Sequence, residues 1–204
     1  MTTTRSPGDR VRPIPRTAHR LRPGEWSGYA AAAWGLLFAV PSFVWASGGT
    51  LGAESTVSPA LMKLARDGVP WFLAVLWVTG FLKLFGAVIG IGLTHPRRRR
   101  ISRLLVFCGG GAAVLLVWHG CLFVVHGVLV EAGVLSVTPD LVGLTRWYLY
   151  LWGPWFILGS LVFAAATVRH VRRHGCPREV WFHGAAGALG ALLLSVASTA
   201  TGIG

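Results

Sequence analysis

His95-Pro96-Arg97-Arg98-Arg99-Arg100-Ile101-Ser102-Arg103 separates two long apolar segments. Five of its nine residues are arginine. A guanidinium stays charged at physiological pH, and a cluster of them resists translocation, so such a loop remains on the cytoplasmic side of a bilayer. Placing this one loop inside orients every other: the segments on either side of it cross to the exterior, and the loops alternate from there.

Composition agrees with a membrane setting. Of 204 residues, 53% are hydrophobic and 13% charged, with a mean hydropathy of +0.60. A soluble domain carries about 25% charged residues. Working outward from the arginine loop, the apolar segments give five expected spans at about residues 26–47, 69–94, 104–130, 146–168 and 180–203. Each has room for the roughly 20 helical residues that cross a hydrocarbon core. The expected fold is all-α, a polytopic transmembrane helix bundle forming one domain over residues 26–204. Residues 1–25 hold six arginines, four prolines and no apolar period, and read as a disordered basic cytoplasmic tail. Of nineteen Lys plus Arg, fifteen fall in the tail and the two loops assigned to the inside. The N-terminus is therefore expected in the cytoplasm and the C-terminus outside, in a multi-pass protein of the cell membrane. The net charge of +12 comes in blocks beside apolar segments, which favours topology and anionic lipid headgroups over nucleic acid. A rival reading makes the first span a cleaved signal peptide ending near Val44-Trp45-Ala46.

Local signals refine the loops. Ser58-Pro59 followed by Ala60 to Asp67 and then Gly68 predicts a short capped helix with Ser58 as N-cap. Leu61, Leu64 and Ala65 form its expected apolar face, lying on the membrane surface or capping the bundle. Thr138-Pro139-Asp140 predicts a second helix start, and Pro41 and Pro154 predict kinks in the first and fourth spans. Trp71-Phe72-Leu73 and Trp147-Tyr148-Leu149 begin corresponding spans 76 residues apart, a loose two-hairpin repeat.

Chemistry is sparse. Cys108 and Cys121 are about 20 Å apart along one helix, beyond disulfide reach, and Cys176 falls in a reducing loop. No metal motif or cofactor motif is present. Lys83 lies mid-span, where a charge costs about 2.5–3.5 kcal/mol on insertion scales and needs a partner or water. Thr79, Gly80, Gly86, Ala87 and Gly90 share its face, so it points into the bundle. His119 and His126 are seven residues apart on one helical face, about 10 Å along the axis, which is too far for one metal ion. The spans joined by the arginine loop are expected to be antiparallel neighbours, bringing Lys83 to His119. Lys83, His119 and His126 are thus the candidate intramembrane polar site. The Gly184 to Ala191 stretch is a small-residue face suited either to internal packing or to a homo-oligomer.

Three functions remain open on these residues: a small transporter or channel-like protein, a membrane-embedded enzyme or cofactor binder, and a structural or regulatory subunit. Phe43-Val44-Trp45-Ala46-Ser47-Gly48-Gly49-Thr50, Arg146-Trp147-Tyr148 and Trp152-Gly153-Pro154-Trp155 resemble elements of a small actinobacterial integral membrane protein family of unknown function. Seventeen arginines against two lysines are similar to a high-GC actinobacterial product. The resemblance covers about residues 30–170, with Val44 departing from a commoner aromatic. It implies membership and no catalytic residue.

Overall fold

A computed structural model describes residues 25–173 and 178–201. The basic tail, Cys176 and the end of the fifth span lie outside them. The described residues contain no strand, and five helical segments are long and apolar enough to cross a membrane. The chain is a transmembrane helix bundle.

Helix α1 spans Trp26–Ala46, α2 Pro59–Arg66, α3 Pro70–Gly92, α4 Arg99–Glu131, α5 Val142–Trp147, α6 Gly153–Arg173 and α7 Arg178–Thr201. The expected spans agree to within a few residues except twice. Helix α4 starts inside the arginine cluster and runs for 33 residues, about 50 Å. The fourth segment is helical from Pro139 onward: a 3-10 turn (Pro139–Leu141), α5, a π-helical turn (Tyr148–Trp152) and α6 follow without a break. Proline at 154 has no N–H to offer Tyr150, and the π turn lies directly before it. The expected disturbance at Pro154 is therefore a widened turn.

The short helix forms as read. The Leu61 N–H donates to Ser58 Oγ at 3.4 Å, Pro59 opens α2, and Gly68 takes a left-handed φ of +65°. Its buried residue is Met62, with Leu64 and Ala65 partly buried and Leu61 exposed. Met62 meets Trp45, Phe72 and Leu76, so α2 caps the end of the α1/α3 pair.

Helices α1 and α3 pack along a seam of small residues. A methyl on Gly35 would lie 2.9 Å from the Ala87 nitrogen, and one on Gly90 2.6 Å from the Ala32 nitrogen. Gly86 faces Phe163 of α6 instead, so Gly86 and Gly90, four residues apart on α3, serve different neighbours. A second group joins α4 to α6 and α7. Gly110 and Gly111 meet the Gly184 and Gly187 backbone, and Gly120 meets the Gly153 carbonyl. Two of the α7 glycines thus pack inside the bundle. Arg99 and Arg103 both reach Glu179, at 2.7 and 2.5 Å, tying α4 to α7 at the arginine end.

Trp34 joins the two groups. Its Nε1 donates to the Trp155 carbonyl at 3.0 Å, and it packs among Phe38, Trp155, Phe156 and Phe163. The glycine at 159 leaves the space its indole fills. The expected α3/α4 neighbourhood is reduced to their shared end, where Gly92 meets Leu105 and Leu93 meets Gly109. The physical reason lies in α4, whose glycines admit α6 and α7 closely while the Trp34 cluster ties α1 to α6.

Candidate functional site

The seven-residue spacing of His119 and His126 places both on one face of α4, and that face borders a cavity of about 310 Å³. Helix α4 supplies the two histidines and Phe123. The α5 and π-turn region supplies Leu144, Thr145 and Tyr148, and α7 supplies Ser195, Ser198 and Thr199. The wall is largely ring faces and aliphatic groups. Phe123 stacks on Tyr148 with centroids 4.6 Å apart, and His119 stacks on Phe156 at 6.2 Å.

Several polar groups on this wall already have partners. Tyr148 donates to the Thr56 carbonyl at 2.7 Å, and neighbouring Trp152 Nε1 donates to the Ser55 carbonyl at 2.6 Å. These bonds fasten the 47–69 loop over the π turn. Thr145 donates to the Leu141 carbonyl and Thr199 to the Ser195 carbonyl, while Trp118 Nε1 donates to Thr199 Oγ1. Three groups remain uncommitted. His119 Nδ1 donates to the Leu115 carbonyl at 2.9 Å, which in the neutral ring leaves Nε2 as an open acceptor. His126, exposed at the cavity rim, makes no hydrogen bond among the described residues. Ser195 Oγ has no partner among the described residues, although its residue is only 2% exposed.

Lys83 is elsewhere. Its ammonium donates to Ser42 Oγ at 2.8 Å and lies 3.7 Å from the centroid of the Phe38 ring. Both partners are on α1. No hydrogen bond joins Lys83 to His119, so the expected contact is corrected: the lysine takes the nearest hydroxyl and aromatic face within its own helix pair. Of the three candidate residues, the structure brings together His119 and His126.

Sequence reading missed His170. It is 1% exposed, with Nδ1 donating to the Leu93 carbonyl at 3.0 Å and Nε2 2.8 Å from Ser102 Oγ. It clamps the ends of α3, α4 and α6 together. The signal was available: Gly159, Ser160, Phe163, Ala166, Thr167, His170 and Val171 form one buried helical stripe. His170 lies just past residue 168, where the fourth span is expected to end, among Arg169, Arg172 and Arg173. Ser195, hidden among the small residues of α7, carried no signal.

Beyond α5 lies a second cavity of about 540 Å³, bordered by Glu131 and Arg146. Glu131 accepts from Tyr150 at 2.7 Å, and Arg146 stands 3.9 Å from its other oxygen. Among the described residues no three His, Cys, Asp or Glu side chains converge to hold a metal ion.

A family described as Protein of unknown function (DUF3995) matches residues 35–163. The chain belongs to the DUF3995 family. The matched segment includes Lys83, His119, His126 and Tyr148, whereas Ser195 and the rest of α7 lie beyond it. No curated protein and no solved structure matches this DUF3995 chain.

Proposed function

We propose that this protein binds a small, mostly apolar molecule in the His119/His126 cavity, as an integral protein of the cytoplasmic membrane. The observation that carries this reading is the pair of uncommitted polar groups on a largely apolar wall, His119 Nε2 and His126. Pockets of this size with few convergent polar groups are the usual form of a small-molecule site. One path through Lys83, His119 and His126 draws no support from their positions, so binding is favoured over conduction. The arginine end belongs in the cytoplasm, which puts the cavity toward the outer leaflet. The arginine-rich, lysine-poor composition supports an actinobacterial source.

Purification in mild detergent, followed by mass analysis of extracted small molecules, tests the binding. The wild-type protein is expected to carry a species that Ser195→Leu, which fills the cavity, does not. Equal recovery from both, with the variant folded by circular dichroism, defeats the reading. Orientation has its own test in a chain lacking Cys108, Cys121 and Cys176. A cysteine at Thr138 should react with an impermeant maleimide in intact cells, and one at Arg97 only after permeabilisation. The reverse pattern overturns the topology.

A further inference from the structure

We infer that the occupant of the His119/His126 cavity is a para-dihydroxy aromatic, a quinol-type ring bound in its reduced form. The inference rests on the binding reading above and adds the chemical class.

Three features select it. The first is the direction of the hydrogen bond that His119 can make. Its Nδ1 proton is given to the Leu115 carbonyl, so the neutral ring offers the cavity an acceptor at Nε2. A hydroxyl satisfies that atom; a ketone oxygen facing it leaves two acceptors opposed, and unpaired polar groups in such a site are strongly discriminated against. The second is length. His119 and His126 are separated by seven residues of α4, a rise of about 10.5 Å. A para-dihydroxybenzene holds its oxygens about 5.5 Å apart, and a hydrogen bond of about 2.8 Å at each end lets it bridge about 11 Å.

The third feature is the wall. Phe123, Tyr148 and the His119 imidazole bring rings to it, which suit a flat aromatic by offset or edge contact. His126, exposed at the rim, can donate or accept and so adapts to either end of the ligand. The 310 Å³ volume takes a substituted ring, and any tail would leave through the rim into lipid. The inference concerns binding, with no electron transfer.

Three probes of one shape test it on the full chain in detergent, anaerobically, by calorimetry: durene, which has no oxygens, duroquinone and duroquinol. Duroquinol is expected to bind at least tenfold more tightly than duroquinone. His119→Phe retains a ring against Phe156 and removes the acceptor; it should bring the two affinities within twofold while durene still binds, which also shows that the variant is folded. If duroquinone equals or exceeds duroquinol, or the preference survives in His119→Phe, the quinol assignment is overturned while saturable durene binding keeps the cavity reading. If none of the three binds the wild-type protein, both readings fall together.

Discussion

The α1/α3 pair and the α4/α6/α7 group each bury polar chemistry, and they treat it in opposite ways. In the first, Lys83 finds Ser42 Oγ and the Phe38 ring face on the adjacent helix. In the second, His119 and His126 keep atoms unspent around a cavity. A charge in a membrane draws attention because it is costly, yet a charge with its partners in place serves packing. Function is better sought where polar atoms are left over. The more conspicuous residue is here the more structural one.

Substitutions in each region should leave the other intact, and they differ in size. The largest effect is expected at Gly187, where any side chain would collide with the Phe107 carbonyl. Gly187→Leu should destabilise by about 3 kcal/mol or more and abolish cavity binding, read by tryptophan-monitored unfolding in mixed micelles. Stability close to wild type would mean that α7 is not seated on α4 as described.

Ser42→Ala comes next. It leaves the Lys83 ammonium with the ring alone and should cost about 1–3 kcal/mol, with no change in durene or duroquinol affinity. A loss of affinity would couple the two regions and undo the comparison. Tyr148→Phe removes the tether to the Thr56 carbonyl and should cost about 1 kcal/mol. Faster proteolysis of the 47–69 loop should accompany it; an unchanged cleavage rate would show that the Trp152 bond and the Met62 packing hold that loop without Tyr148.

Lys83→Met should have the smallest effect, within about 1 kcal/mol of wild type, because removing a charge together with its desolvation cost is often neutral or favourable. The double variant Lys83→Met/Ser42→Ala sharpens the point. If the two residues act as a pair, the Ser42→Ala penalty should shrink once the lysine is gone. Strict additivity would separate them.

The legible parts of the fold were those written in local chemistry. Ser58, Pro59 and Gly68 delimited α2 because a cap, a fixed φ and a left-handed turn are properties of a few adjacent residues. The His119/His126 face was legible because helical spacing alone aligns them. Ser195 was not, since a serine among alanines and glycines becomes notable only when a neighbour fails to satisfy it. His170 could have been found by following the buried stripe of α6 into the basic segment.

By itself, the sequence determined how many times the chain crosses a membrane and roughly where each crossing begins. Transfer into hydrocarbon is a sum over the side chains of one segment, and each segment carries its own answer. It also limited the chemistry to one lysine and a few histidines within the spans. Only the tertiary structure decided which helices touch, that Lys83 turns to α1, and that α7 closes a cavity over His119 and His126. Within lipid every helix surface is similarly apolar, so association follows close packing between particular small and large residues. Gly159 making room for Trp34, and Gly110 and Gly111 admitting α7, are choices between distant segments that hydropathy along the chain does not encode.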